Sequence, residues 1–262
     1  MRLPKNICVV YKKYPSKEHN KTISEVKRTL DGIGADYTII ERGRMKRNSF
    51  TNKDLIIAVG GDGTFLRVSH FLDRQLILGV NSDIKKNEAF FMQATRHDFG
   101  RKIKTVLNGK YKIRKLPRLK AVINGKQVKD LALNEYYVGH RNAYSMSRYN
   151  LIIGKKKAFH RSSGLLVGTG PGSTAWLLSA GGAKNDVTST TIQYIAREVY
   201  NGRLIKKEMS KGTVSSRKSI TVESLSDNNI VVADSLSEEY SLKKGQKVSI
   251  MLSKHPLYAL WF

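Results

Sequence analysis

A strand that breaks into three glycines and an aspartate constrains this chain more than any other feature. The stretch IIAVGGDGTFLRVSH, residues 56–70, runs from apolar β-formers through Gly60, Gly61, Asp62 and Gly63 into a helical pattern. Glycine costs backbone entropy, so three of them between a strand and a helix need a reason. A strand that passes through glycine into a helix presents bare backbone N–H groups beside a helix N-terminus, where phosphate oxygens bind well. The stretch therefore predicts a phosphate site.

Asp62 separates this turn from the common phosphate-binding loops. The chain contains no G-x-x-x-x-G-K-[ST] segment, and the turn does not fit G-x-G-x-x-G. A carboxylate that faces phosphate is repelled unless it binds a cation or accepts a proton, and both are tasks in phosphoryl transfer. The alternative is a tight turn in which Asp62 only caps the helix. Three glycines around one aspartate favour the phosphate site.

The region before and after this turn alternates strands and helices. Apolar runs predict strands at NICVVYK, YTIIER, DLIIAV and LILGVN. Apolar residues at helical spacing predict helices at SKEHNKTISEVKRTLDGIG, TFLRVSHFLDR and TRHDFGRKIKTVLNG. Gly34 is placed to end the first helix. Alternation of this kind indicates a parallel sheet with crossover helices, which we assign to an α/β domain of residues 1–94.

The rest of the chain changes to a period of two. Asn124-Gly125 between alternating runs is a strong hairpin signal. Further strands are predicted at YNLII, GLLVG, SITVES, NIVVAD and KVSIML, and a helix is predicted at STTIQYIAREVY, residues 189–200. We therefore expect a mainly β domain over residues 95–262, with C-terminal strands that can return towards the first domain.

The charge of the chain is strongly positive, with 47 Lys+Arg against 21 Asp+Glu and a formal net charge of +26. Such a field attracts polyanions, which leaves open a catalytically silent, basic nucleotide- or nucleic-acid-binding protein. The lysines are scattered, however, and no helix-turn-helix, zinc-ligand spacing or RNA-binding aromatic motif is present. We interpret most of them as a solvated surface and do not expect a nucleic-acid partner.

Cysteine content and hydropathy bear on location. Cys8 is the only cysteine, so disulfides within the chain are impossible and a reducing compartment is expected. Apolar runs such as Leu55–Val59 are too short to cross a membrane, and the N-terminal segment lacks a signal-peptide pattern. We expect a cytoplasmic protein without a membrane partner.

A second glycine-rich stretch strengthens the case for a ligand. RSSGLLVGTGPGSTAWLLSAGG, residues 161–182, is another strand that breaks into glycine. The hydroxyls of Ser173 and Thr174 can bond to a ligand, and Trp176 offers a face for stacking a base. The alternative is a helix start capped by Ser173, with Trp176 in the core. Between the two stretches, LALNEYYVG places Asn134 and Glu135 where an amide and a carboxylate can read a base edge and ribose hydroxyls, unless they form only an exposed strand end.

Three motifs together resemble the NAD kinase family: GGDGT (Gly60–Thr64), NE (Asn134-Glu135) and GSTAW-x-x-SAGG (Gly172–Gly182). The resemblance implies an α/β domain followed by a β-rich domain, with NAD bound in the cleft between them. It also implies transfer of a phosphoryl group from ATP or polyphosphate to the 2′-hydroxyl of the adenosine ribose, a divalent cation, usually Mg²⁺, and a dimer or tetramer. GGDGT alone is shared with diacylglycerol and sphingosine kinases, so a lipid kinase is the other alternative.

The resemblance also implies roles for single residues. Asp62 matches the proposed general base, and no metal ligands are specified. The donor phosphates are assigned to Gly60, Gly61, Gly63, Thr64 and Arg67. NAD binding is assigned to Asp62, Gly63, Asn134, Glu135, Arg161, Ser163, Thr174, Ala175, Trp176 and Ser179.

Departures from the family pattern fall at four places. Ser163 stands for the usual aspartate, Trp176 for the usual tyrosine, and Asp234-Ser235 for the usual Asp-Gly. The segment SDIKKNEAFF, residues 82–91, differs from the family's aromatic-ended loop. Several of these changes look like the divergent mitochondrial-type NAD kinases.

Overall fold

Two compact units make up the molecule. The computed structural model describes residues 4–13, 16–202, 208–236 and 238–262. Unit 1 comprises Met1–Lys115 and Leu257–Phe262, and unit 2 comprises Leu116–Pro256. The sequence-based boundary between residues 94 and 95 stays a prediction about functional domains, because a compact unit and a functional domain need not end at the same residue.

Unit 1 is built on one sheet. Its strands are β1 (Ile7–Tyr11), β2 (Tyr37–Glu41), β3 (Leu55–Gly60), β4 (Leu76–Asn81), β5 (Met92–Thr95), β6 (Lys112–Leu116) and β19 (Leu257–Trp261), in the order β2-β1-β3-β4-β19-β6 with β5 also paired to β4. The pairs among β1, β2, β3, β4 and β5 are parallel, as is β19 with β4. The predicted α/β architecture with a parallel sheet is therefore confirmed.

Three helices cover this sheet because each has an apolar face at helical spacing. They are α1 (Lys17–Gly32), α2 (Asp62–Ser69) and α3 (Phe99–Leu107). Val26 and Leu30 of α1 and Ile103 of α3 share one core with β1, β3 and β4. Gly34 follows the end of α1 at φ +62° and donates its N–H to Asp31 O at 3.0 Å, which confirms its predicted role.

Unit 2 contains two antiparallel sheets. The strands of the first are β7 (Leu119–Ile123), β8 (Lys126–Gln127), β10 (Ser147–Ile153), β11 (Lys156–Ser162), β15 (Ile220–Ser224) and β18 (Lys247–Leu252), in the order β11-β10-β15-β18-β7-β8. The strands of the second are β9 (Glu135–His140), β12 (Leu165–Gly168), β13 (Ile192–Ala196), β14 (Lys211–Val214), β16 (Asn229–Ala233) and β17 (Tyr240–Leu242), in the order β14-β13-β12-β9-β16-β17. Tyr149 of the first sheet and Tyr136 of the second lie in one apolar cluster. The two antiparallel sheets confirm the predicted mainly β character of this part of the chain.

Two local predictions in unit 2 have different outcomes. The Asn124-Gly125 hairpin joins β7 to β8 with positive φ at both residues, as a type I′ turn requires. The helix predicted over residues 189–200 is wrong, because Ile192–Ala196 forms β13 between β12 and β14. All five residues of β13 are buried, and a short, fully buried strand shows no alternation that would distinguish it from a helix.

In the part of the chain that the structure describes, no helix combines the length and the apolar character needed to span a membrane.

Candidate active site

The glycine turn joins β3 to α2 in unit 1. Gly61 is the N-cap residue of α2, which begins at Asp62. A Cβ atom on Gly60 would lie 2.4 Å from Thr64 Oγ1 and 2.8 Å from Thr64 Cβ, so this position has no room for a side chain. A Cβ atom on Gly61 would lie 2.9 Å from Asn87 Oδ1, so the Asn87 side chain would have to move. A Cβ atom on Gly63 would meet nothing within 4 Å. The direction in which a Gly63 side chain would point is therefore open space.

That space is a cavity of about 320 Å³. It is lined by the whole turn and by residues that directly follow other strands: Lys12 after β1, Arg42 after β2 and Ser82 after β4. His19, Asp83, Lys86 and Asn87 complete the wall. The cavity thus lies at the carboxyl ends of four neighbouring strands of a parallel sheet, where such sheets bind ligands.

Asp62 lies in this cavity with its carboxylate held from outside its own helix. The Phe90 N–H donates to Asp62 Oδ2 at 2.8 Å and the Phe91 N–H donates to Oδ1 at 2.9 Å. The carboxylate makes no capping bond to α2, since the N-cap residue is Gly61, so the interpretation of Asp62 as only a helix cap is wrong. Burial raises the pKa of Asp62 above its ordinary value, although the two amide donors partly offset this effect.

Thr64 lies in the first turn of α2 and Arg67 in its last turn. Thr64 is buried, and its Oγ1 accepts a hydrogen bond from Arg42 Nη1 at 3.4 Å. Arg67 Nε is buried without a hydrogen-bond partner. Cationic and polar groups therefore converge at the start of α2.

Sequence reasoning missed most of the cavity wall. Lys12, Arg42 and Asp83 lie next to the turn but belong to separate strand ends. The rule that ligands bind at the carboxyl ends of parallel strands would have pointed to them, because Lys12 and Arg42 end predicted strands and Asp83 follows one by two residues.

In unit 2, Asn134 and Glu135 lie at the start of β9. They are 8% and 4% exposed, so the alternative of an exposed strand end is wrong. Asn134 Oδ1 and Glu135 Oε2 are buried without hydrogen-bond partners. Burial, with a smaller contribution from the charge of Asp234, raises the pKa of Glu135 to about 8. Buried polar atoms without partners are rare in folded proteins, and here two adjacent side chains present them.

A turn after β16 fixes the backbone of this pair. The Asp234 carboxylate accepts the N–H groups of Leu133, Asn134 and Glu135 at 2.9, 2.7 and 3.1 Å. Asp234 and Ser235 both have φ +53°. This positive φ explains why glycine is usual at the second position, and it shows that the serine adopts the same turn in a conformation that glycine favours.

The second glycine-rich stretch lies against the Asn134 backbone. It continues from β12 through a 3-10 turn, Pro171–Thr174, into the short helix α4 (Trp176–Ser179). A Cβ atom on Gly172 would come 2.0 Å from Asn134 O, so only glycine fits there. The Ser173 hydroxyl is buried, donates to Gly170 O at 2.7 Å and accepts the Asn185 N–H at 3.0 Å. The expectation that this hydroxyl faces a ligand is therefore wrong, because the loop uses it internally.

Trp176 is partly buried in a stack of planar groups. Its ring lies 5.6 Å from that of Tyr137 at an interplanar angle of 20°, and the Arg197 guanidinium lies 4.7 Å from the Trp176 ring centroid. Ser163 contacts the same two residues, since its N–H donates to Arg197 O at 3.0 Å and its carbonyl accepts the Tyr137 hydroxyl at 3.1 Å. The structure thus brings Ser163 and Trp176 to one place in unit 2.

The other unit 2 residues predicted to bind NAD lie on the same loop as Trp176 or on β11. Thr174 and Ala175 connect the 3-10 turn to α4, and Ser179 ends α4 on the surface. Arg161 lies on β11, with its guanidinium 4.8 Å from the Tyr200 ring centroid and its Nε buried without a hydrogen-bond partner among the described residues.

Comparison with known proteins adds a family match over both units. The family model of the ATP-NAD kinase N-terminal domain matches residues 2–111, and that of the ATP-NAD kinase C-terminal domain matches residues 133–261. A protein of Oryza sativa subsp. japonica named "Probable NADH kinase" is 32% identical over 254 residues, covering 88% of this chain and 78% of its own length. An NAD kinase of Thermoplasma volcanium is 28% identical over 235 residues, with the same two coverages of 88% and 78%.

Two solved structures share the fold. A crystal structure of an NAD kinase from Archaeoglobus fulgidus in complex with ATP has a TM-score of 0.78 at 24% identity and covers 98% of this chain and 93% of its own. The structure of yeast NADH kinase complexed with NADH has a TM-score of 0.80 at 14% identity and covers 99% and 84%.

Proposed function

The chain belongs to the NAD kinase family, and on that premise we propose that it transfers the γ-phosphoryl group of ATP to the 2′-hydroxyl of the adenosine ribose of NAD or NADH. The product is NADP or NADPH. Family membership over both units disfavours a lipid kinase and a catalytically silent binding protein. Polyphosphate stays a second donor candidate, because a cavity walled by cations and bare amides selects for phosphate rather than for a base.

The observation that carries the proposal is the position of Asp62 in the cavity of the glycine turn. The first N–H groups of α2 have no acceptor within the helix, so Gly61, Asp62 and Gly63 can donate to phosphate oxygens. Thr64 and Arg67 would add a hydroxyl and a positive charge. The donor phosphates and Asp62 would then share one space, as a phosphoryl transfer requires.

Asp62 would act as the general base. A ribose hydroxyl is a poor nucleophile, and a carboxylate within hydrogen-bond reach can orient it and accept its proton as the new P–O bond forms. The amide donors of Phe90 and Phe91 hold one lone pair on each Asp62 oxygen and leave the others for the hydroxyl. Burial raises the pKa of Asp62, which makes its carboxylate a stronger base.

The acceptor would bind through the polar atoms of unit 2 that lack partners. Asn134 Oδ1 and Glu135 Oε2 can accept the amino group of adenine or the hydroxyls of ribose. Trp176 would extend the stack of Tyr137 and Arg197 to a planar part of the dinucleotide. The other residues proposed to contact NAD are Asp62, Gly63, Arg161, Ser163, Thr174, Ala175 and Ser179.

Mg²⁺ fits this site as a companion of the donor. Among the described residues no group of three or more His, Cys, Asp or Glu side chains is arranged to hold a metal ion. Mg²⁺ commonly binds through one or two carboxylates together with substrate phosphates. Asp83, which lines the cavity, would supply such a carboxylate, and the ion would neutralise charge on the phosphates.

Three further properties belong to the proposal. A homodimer or homotetramer is implied by the resemblance. A cytoplasmic location is proposed because the buried thiol of Cys8 suits a reducing compartment. The acceptor-binding part is proposed to extend over residues 95–262 and the donor-binding part over residues 1–94. We expect no nucleic-acid or membrane partner.

The test is direct product detection. Purified protein is incubated with Mg²⁺, ATP or tripolyphosphate, and NAD or NADH, and the 2′-phosphorylated product is measured with an NADP-specific dehydrogenase. We expect product with ATP and at least one of the two acceptors, and no phosphorylation of diacylglycerol micelles. An absence of product with every donor and acceptor pair would overturn the proposed function.

A further inference from the structure

Two arginine residues lie near the glycine turn, and one of them, Arg42, lines the cavity. Arg42 directly follows β2, and Arg67 lies one helical turn after Thr64 on α2. Arg42 Nη1 donates to Thr64 Oγ1, one helical turn before Arg67, which places Arg42 beside the same part of α2 as Arg67. Burial and, to a smaller extent, the positive charge of Arg67 lower the pKa of Arg42. Like charges held together in a partly buried place cost free energy unless an anion lies between or beside them.

No carboxylate of the described residues pairs with either guanidinium. Glu41 is adjacent to Arg42, but its carboxylate accepts the Gly43 N–H at 3.0 Å and acts on Arg42 only through its charge. Within the described ranges, the Arg42 side chain makes one hydrogen bond, to a neutral acceptor, Thr64 Oγ1, at 3.4 Å. Arg67 Nε has no partner at all. The pair therefore offers unused donors and positive charge that Glu41 offsets only in part.

The location of the pair identifies the chemistry of the missing anion. Arg42 lines the same cavity as Gly60–Thr64, and Thr64 links it to the first turn of α2. A guanidinium presents a planar fork of N–H groups that matches phosphate geometry, and arginine is the residue of choice for such bidentate recognition. Nothing in these contacts recognises a base or a sugar.

We propose that Arg42 is a donor-binding residue that holds the phosphate chain of the phosphoryl donor together with Arg67. This inference rests on the proposed function for the identity of the donor. Arg42 contacts only the phosphate groups of the donor, so ATP and inorganic tripolyphosphate lose the same contact when Arg42 is replaced. It contributes nothing to NAD binding, and its removal relieves the repulsion of Arg67 in the free protein.

The experiment compares three variants of the full chain. Arg42→Gln removes the charge and the fork, and Arg42→Lys keeps the charge and removes the fork. Arg44→Gln is the matched control, because Arg44 lies in the same 3-10 turn, Arg42–Arg44, and is exposed. Dissociation constants for ATP, tripolyphosphate and NAD are measured by calorimetry, and Tm is measured without ligand.

We expect Arg42→Gln to weaken ATP and tripolyphosphate equally, by about tenfold, which corresponds to the loss of one charge-assisted hydrogen bond. Arg42→Lys should lie between Arg42→Gln and the parent protein, and Arg44→Gln should match the parent. The NAD dissociation constant should not change, and the Tm of Arg42→Gln should equal or exceed that of the parent.

Three results would overturn the inference. One is unchanged affinity of Arg42→Gln for tripolyphosphate, and another is a lowered Tm with equal losses for NAD and ATP, which indicates a structural role. The third is failure of Arg42→Gln to fold together with parental affinities in Arg42→Lys. Weaker phosphate binding in Arg42→Gln, combined with a parent protein that forms no NADP, would uphold the inference and reject the proposed function.

Discussion

At the scale of single residues, Glu135 shows how a buried group can be unfavourable for folding and useful in a site. Its carboxyl is 4% exposed, its Oε2 has no partner, and Asp234 adds a like charge nearby. A residue selected only for stability would be paired or replaced by an apolar one. The combination favours a binding role, in which a ligand supplies the missing donors.

Glu135→Gln should change how stability depends on pH. The pKa of Glu135 is about 8 in the folded protein against an ordinary value of 4.5. The contribution of the protonated Glu135 carboxyl to the free energy of unfolding is therefore fully present below pH 4.5 and is lost as the pH rises through about 8. Glutamine removes this proton linkage. We therefore expect the free energy of unfolding, measured by urea titration at several pH values, to fall less with rising pH in Glu135→Gln than in the parent.

Glu208→Gln is the control for this series, since Glu208 is exposed in the same unit. It should follow the parent at every pH. A Glu135→Gln variant whose pH profile coincides with that of Glu208→Gln would show that Glu135 ionises normally in the folded state.

At the scale of elements, the turn after β16 organises the Asn134-Glu135 segment. Three consecutive N–H groups donate to one carboxylate, Asp234, across about a hundred residues of sequence. Both Asp234 oxygens are used, so the turn fixes the start of β9 more firmly than β-sheet pairing alone. We call these three hydrogen bonds to Asp234 the Asp234 clamp, and the positions of Asn134 Oδ1 and Glu135 Oε2 depend on it.

Asp234→Asn should loosen the clamp. The amide keeps one acceptor oxygen and turns an NH₂ group towards N–H donors. We expect the free energy of unfolding to fall by about 2–4 kcal/mol, from lost charge-assisted hydrogen bonds and a buried donor without an acceptor. Chemical denaturation measures this loss.

Asp227→Asn serves as the control, because Asp227 accepts one N–H, that of Lys244, at an exposed position. It should change stability little. Equal and small effects of the two substitutions would mean that the Asp234 bonds contribute no more than an exposed contact.

Sequence patterns predicted the secondary-structure elements well, but they did not predict the contacts between those elements. Strands β1 to β4 and the three helices of unit 1 follow from apolar runs and helical spacing, whereas β5, β6 and β19 were not predicted. GGDGT follows from the strand–glycine–helix pattern. The amide donors of Asp62 lie in the loop before β5, and Asp234 lies in a turn after β16, so no local pattern could connect them to their partners. The prediction of a helix at β13 was wrong because pairing with β12 and β14, and not the local sequence pattern, decides the structure of this segment.

At the scale of the whole molecule, the motifs are divided between the two units. Unit 1 carries the glycine turn, Asp62 and a wall of cations, whereas unit 2 carries the buried amide–carboxyl pair and the aromatic stack. Part of the formal charge of +26 thus lines a cavity instead of the solvated surface that the sequence suggested. The account of this molecule as a kinase depends on the chemistry assigned to Asp62.

The most direct test of that assignment is the kcat for NADP formation by Asp62→Asn at saturating NAD and ATP. Asparagine keeps the shape and the reach of the side chain but cannot accept a proton at neutral pH. Asp73→Asn is the matched control, since Asp73 is exposed shortly after α2. The NAD dissociation constant and the Tm are measured on the same samples.

We predict that Asp62→Asn folds with a lowered Tm, because its NH₂ group faces one of the two backbone N–H groups that the carboxylate accepts. The variant still binds NAD, and its kcat is lower by about 10²–10⁴, the usual effect of losing a general base, while Asp73→Asn matches the parent. Turnover by Asp62→Asn at the parental rate would contradict the account. So would a variant that fails to fold, because Asp62 would then serve the structure of the turn and not the reaction.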